Sequence, residues 1–212
     1  MSIAQMLKSD DEATTGFHGI VTGIVTNNQD PDEMGRIKVK IPRISGEDES
    51  HWARVVSFFA GADRGAFFLP EVDDEVLIAF EYGDIHMPYI LGALWNGVDT
   101  PPETNSDGEN NIRIIKSRSG HIIKLNDKDG EETIEIIDKS EGNKITIETA
   151  DNKISIISAA DIELVAPDGK VLIDANEVEI KSAADTKIEA GGNLDAEASG
   201  DLTAKGATIN LN

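Results

Sequence analysis

No aromatic residue follows Trp95 in this chain of 212 residues, and beyond position 112 short apolar pairs recur with a period close to eight. The tail keeps the beat best: Thr186/Ile188, Leu194/Ala196, Leu202/Ala204 and Ile209/Leu211. A looser beat precedes it, in Ile134/Ile136, Ile145/Ile147, Ile154/Ile156, Ile162/Leu164, Val171/Ile173 and Val178/Ile180. Side chains two apart face the same side of a strand, so each pair predicts one very short strand. Asp129-Gly130, Gly142-Asn143, Asp168-Gly169 and Gly191-Gly192-Asn193 fill the gaps as turns. A stack of strands this short is a repeat architecture, and the predicted fold class is all-β.

Composition changes across residues 96–111, which predicts two domains. The expected divisions are an N-terminal segment at 1–16, a barrel at 17–97, a linker at 98–111 and the repeat half at 112–212. Without cysteine, neither disulfides nor thiolate metal sites hold the chain together. No apolar run approaches the roughly 18 residues of a membrane-spanning helix. The start, MSIAQMLKSDDEATTG, lacks a cationic stretch followed by a long apolar one, so synthesis in the cytoplasm without a signal peptide is expected. A net charge of −21 argues against nucleic acid as a partner, because phosphate binding needs a basic patch.

Residues 17–97 read as a compact set of antiparallel strands. Phe17–Thr26 and Gly35–Ile41 are predicted strands; in the second, Ile37, Val39 and Ile41 alternate with Arg36, Lys38 and Lys40. Trp52–Phe59 is read as a third strand with apolar residues on both faces, and Ala66–Leu69 as a brief fourth ended by Pro70. Glu75–Tyr82 places Val76, Ile78 and Phe80 on one side, and Pro88–Leu94 closes the set. Five or six such strands in some 80 residues predict a small barrel of the OB type. The aromatics are expected inside its strands, and basic residues are too few for an oligonucleotide groove. Arg36 and Arg54 are expected to be solvated or locally paired, with Asp84, Glu75 or a neighbouring subunit as the alternative partners.

The string Asp30-Pro31-Asp32-Glu33-Met34-Gly35-Arg36, followed by an alternating strand and Pro42, resembles the opening signature of the contractile-tail baseplate spike family. That family includes phage baseplate assembly protein V and the spike core of VgrG proteins. HWARVVSFFAG (51–61), LPEVDDEVLIAFEYGD (69–84) and PYILGALWNG (88–97) resemble the rest of the same OB domain. The residues that carry the resemblance are Asp30, Pro31, Gly35, Arg36, Trp52, Arg54, Pro70, Gly83, Asp84, Pro88 and Gly92. Asp73-Asp74 departs from it, standing where a Gly is expected before the Asp. Some family members carry a cell-wall hydrolase near the linker, but the slot here holds only polar residues such as TPPETNSDGENN.

One copy of the repeat half has too few apolar side chains to bury a core alone. A monomeric solenoid of three or four turns is one solution; three chains wound together are the other, and the latter protects all strand edges. The resemblance favours the second, an intertwined trimeric β-helix. Its inward positions are then Ile145, Ile147, Ile154, Ile156, Ile162, Leu164, Val171, Ile173, Val178, Ile180, Ile188, Leu194 and Leu202.

Candidate chemistry is sparse. His18, His51, His86 and His121 are far apart and show no ligand spacing. Some short spikes of the family end in a His-x-His metal cage, whereas this chain ends Ala207-Thr208-Ile209-Asn210-Leu211-Asn212. No nucleophile elbow or phosphate loop occurs, and Asp127-x-Asp129-Gly130-x-Glu132 fails as a calcium loop because its Gly comes too early. Neither cofactor nor metal is expected. Thr208, Ile209, Asn210, Leu211 and Asn212 from three chains are read as a plateau for a small PAAR-type tip protein, as the resemblance implies. The resulting expectation is a non-enzymatic homotrimeric central spike, held by a baseplate hub protein and driven through a target envelope. Its assembled place is the baseplate of a phage tail or injection particle. A β-solenoid carbohydrate-active enzyme with an OB module is the alternative, and an OB binding protein with a structural tail is a third.

Overall fold

The computed structural model describes residues 16–210, which fall into two units that divide after Ala159. The first unit opens with β1 (Val21–Asn27), β2 (Lys38–Lys40), β3 (Arg54–Val55), β4 (Ala60–Gly61), β5 (Arg64–Gly65), β6 (Glu75–Phe80) and β7 (Pro88–Ala93). Strands β2-β1-β6-β7-β3 form one sheet in that order, antiparallel throughout except where β3 runs parallel to β7. Ile37 and Ala53 exchange backbone hydrogen bonds of 3.0 and 2.8 Å across the two outer segments. The sheet therefore curls into a half-barrel whose rims touch at that bridge.

The alternating strands supply its interior. Val25, Ile37, Val39, Ala53, Val76, Ile78 and Ile90 are fully buried, and Val21, Ile41 and Phe80 nearly so. Each large apolar side chain buried this way contributes roughly 1.5–3 kcal/mol. Phe17 meets Phe80 edge to face, with ring centroids 5.5 Å apart, and closes one end. At Gly23 a Cβ would stand 2.7 Å from Ile78 Cδ1 and 2.8 Å from the Lys40 carbonyl oxygen. Only glycine lets β1 pass so tightly between β2 and β6.

Two expectations fail here. The predicted strand over Trp52–Phe59 is reduced to Arg54–Val55, and Ala66–Leu69 is not a strand. Between them lies a separate hairpin, β4 paired with β5. The aromatics expected in the interior are instead outside: Phe58, Phe59, Phe67 and Phe68 are all exposed. A barrel has one inside, so a strand apolar on both faces has nowhere to hide its second face.

The remainder of the first unit is a five-stranded meander of β8 (Ile112–Lys116), β9 (Ile122–Asn126), β10 (Thr133–Ile137), β11 (Lys144–Glu148) and β12 (Lys153–Ile157). Each strand pairs antiparallel with the next in the chain. The repeat reading expects pairing between chains, and these five strands pair within one. Successive strands leave four to six residues between them, ample for hairpin reversals. Four of those turns carry a residue in the left-handed region: Gly120, Gly130, Glu141 and Asn152. In the turn before β11, Ser140 Oγ donates to both Asp138 carboxylate oxygens at 2.8 Å and holds that carboxyl below its ordinary range, helped by Asn143.

The second unit, from Ala160, contains neither strand nor helix among the described residues, and its side chains are exposed. Lys181 pairs with Glu179 at 2.6 Å and Lys187 with Glu189, each pair flanking an apolar residue, Ile180 or Ile188.

Candidate functional site

The Asp30–Arg36 loop between β1 and β2 is a closed clasp. Asp30, its side chain only 3 % exposed, accepts backbone N–H bonds from Asp32, Met34 and Arg36 at 3.1–3.2 Å. The Arg36 guanidinium adds two charge-assisted bonds to it at 2.7 and 2.8 Å, and one to Asp32 at 2.6 Å. That guanidinium holds the Asp30 carboxyl well below the usual carboxylate range; burial opposes it, and the three backbone N–H groups reinforce it. Gly35 turns the loop at φ +68°, and Pro31 is exposed on it. Trp52 lies beneath two cations, Arg36 at 5.8 Å and Lys38 at 5.4 Å from the ring centre. Arg36 therefore pairs with its own loop, not with Asp84 or Glu75.

Arg54 likewise has partners other than Asp84 or Glu75. Its guanidinium stacks 4.5 Å over the Tyr89 ring, contacts the Tyr89 hydroxyl and lies 3.8 Å from Glu81. Tyr89 in turn donates to Glu81 at 2.5 Å. Asp84 serves the turn after β6, accepting the His86 N–H at 2.9 Å. Gly83 is buried there at φ +80°, with His18 where a Cβ would stand, 2.8 Å away. Pro88 is buried at the start of β7 and Pro70 is buried in the loop between β5 and β6, whereas Gly92 faces open space. The signature residues thus shape loops of the barrel, and no catalytic constellation arises from them.

The meander carries an unsatisfied apolar surface. On one face, Ile115, Ile123, Leu125, Ile134, Ile136, Ile145, Ile147, Ile154 and Ile156 stand exposed in cross-strand register. The other face is mixed: a polar ladder, in which Lys124 pairs with Glu135 at 3.3 Å and Lys153 with Glu148 at 3.4 Å, shares it with Ile112, Ile114, Ile122, Ile137 and Ile157. A sheet face as apolar as the first, standing in water, is a partner surface. The outer edges of β8 and β12 also have no strand beside them among the described residues.

Of the positions read as inward-facing in the repeat half, Ile145, Ile147, Ile154 and Ile156 fall on this face. Ile162, Leu164, Val171, Ile173, Val178, Ile180, Ile188, Leu194 and Leu202 lie in the second unit, 53–75 % exposed. Thr208, Ile209 and Asn210 are exposed near its end, and Leu211 and Asn212 lie outside the described residues.

One pairing has no signal in the spacing of its residues. His51 and His86, 35 positions apart, bring their rings to 4.7 Å in an edge-to-face contact. Among the described residues no group of three or more His, Cys, Asp or Glu is placed to hold a metal ion. No described helix is long and apolar enough to cross a membrane.

Residues 21–95 match the family described as the type VI secretion system/phage-baseplate injector OB domain. The same region is 38 % identical over 77 residues to the actin cross-linking toxin VgrG1 of Vibrio cholerae, covering 34 % of this chain and 7 % of that protein. It is 36 % identical over 75 residues to the type VI secretion system spike protein VgrG3 of Vibrio cholerae, with the same coverage. The spike protein VgrG2a of Pseudomonas aeruginosa is also 36 % identical over 75 residues, or 34 % of this chain and 9 % of that protein. The chain thus spans under a tenth of the length of these relatives.

Proposed function

Starting from a barrel that belongs to the injector OB-domain family of baseplate and type VI spikes, we propose that this chain is the central spike of a contractile injection machine. Three copies assemble, and the strands from Ile112 onward close on one another as an intertwined β-helical needle. The observation that supports this reading is the uncovered apolar face of β8–β12, which a single copy leaves in water. In three copies the faces turn inward, and the free edges of β8 and β12 find neighbours. The second unit follows the same logic: apolar side chains at two-residue spacing complete strands only when other chains supply the rest of the ladder.

The work is mechanical and needs no active site. Contraction of a sheath drives the needle into a target envelope, a baseplate hub holds the barrels, and a PAAR-like tip protein sits on Thr208–Asn212. Light scattering on the full chain is expected to give three times the single-chain mass. A monomer at micromolar concentration overturns the proposal. Deleting Ile209–Asn212 is expected to leave that mass unchanged while abolishing co-purification with the tip protein; retained binding removes the tip assignment.

A further inference from the structure

The hairpin of β4 and β5 is not needed to complete the barrel core, yet it is rigidly built. Ser57 Oγ clips to the carbonyl oxygens of Phe59 and Ala66 at 2.9 and 2.8 Å, and the Ala66 N–H returns to Phe59 at 3.0 Å. At Gly65, φ +153°, a Cβ would meet the Phe59 carbonyl oxygen at 2.8 Å, so the two arms cannot be spread by a side chain. This frame presents Phe58, Phe59, Phe67 and Phe68 around one open groove of about 720 Å³. The four rings are 86, 51, 78 and 64 % exposed.

At about 200 Å² per aromatic side chain they leave on the order of 550 Å² of apolar surface in water. That is near the upper end of what monomers expose, about 300–600 Å², and most of one partner's share of a standard interface, about 800 Å². Two further observations indicate what covers it. Arg64, at the hairpin tip, makes no ion pair among the described residues, while the chain as a whole carries a net charge of −21. A second copy therefore offers the carboxylates that this arginine lacks. Just beyond the hairpin, Glu71 pairs with Arg118 of the β8–β9 turn at 3.0 Å, which ties the stretch after the hairpin to the meander whose apolar face is unpartnered.

We infer that the hairpin is an interlocking arm: in the trimer its phenylalanines dock on the barrel of the next copy, a head-to-tail contact that closes after three. The inference rests on the trimeric reading and adds a contact that the needle alone does not require. To test it, p-benzoylphenylalanine replaces Phe58 in the full chain, whose mass is first measured by light scattering. Irradiation of the trimer is expected to give an adduct of twice the chain mass on a denaturing gel, linked to a peptide within residues 16–95 of a second copy. A trimer that yields no adduct, an adduct within one chain, or one to another protein overturns the arm and leaves the trimer standing. A monomer removes both. Phe67→Ser with Phe68→Ser is expected to weaken assembly by at least about tenfold; undiminished assembly counts against the arm.

Discussion

Asp30 and Arg36 show how much a single pair can settle. Six positions apart, they fold the β1–β2 loop onto itself through five hydrogen bonds to one carboxylate. The Asp-Pro-Asp string was a visible turn signal, and a solvated or locally paired Arg36 was the expectation; which nearby acid the loop would bring round to it was not legible from spacing alone. Asp30→Asn keeps the shape and removes the charge, and the barrel is expected to melt several degrees lower at neutral pH. The pH dependence has a definite sign. The folded-state pKa of Asp30 is depressed, so its stabilisation is complete above the unfolded value of about 3.9 and is lost as pH falls from there toward the folded value. The melting gap between wild type and Asp30→Asn is expected to narrow steadily below about pH 4. Calorimetry showing the same gap at about pH 7 and about pH 3 contradicts this account.

At the scale of elements, alternation was legible wherever a strand has one buried face. Ile37, Val39 and Ile41 and the set Val76, Ile78 and Phe80 all point inward as the period of two requires. Trp52–Phe59 was not legible, because apolar residues on both faces say nothing about which face the fold will bury. In the repeat half the pairs were visible, but averaging them to eight hid the longer spacing of the first five strands, and apolar pairs alone do not say whether a strand finds its neighbour in its own chain or in another. His51 and His86 met through tertiary folding alone. The meander makes a face-specific prediction: Ile136→Asp is expected to abolish assembly, since an unpaired carboxylate in a desolvated core costs several kcal/mol. Lys124→Ser, on the polar ladder, is expected to change the mass in solution little. Equal behaviour of the two variants in light scattering excludes the apolar face as the contact.

For the whole molecule, the barrel and the second unit have different sources of stability. The barrel closes on its own ten-residue core, whereas the second unit has no described buried residue at all. Ile173→Asp or Ile180→Asp is therefore expected to prevent assembly of the distal needle while the barrel's own melting transition survives. Normal trimers from both variants refute the inward placement of these residues. The nine uncovered isoleucine and leucine side chains of the meander also bear on how the particle comes into being. Under the proposed trimer, a newly made copy is sticky until two siblings arrive, so maturation becomes a race between productive encounter and precipitation, and its pace depends on how densely ribosomes deliver the chain. On the same proposal, refolding at high dilution should strand single copies with a finished barrel and a bare, adhesive meander.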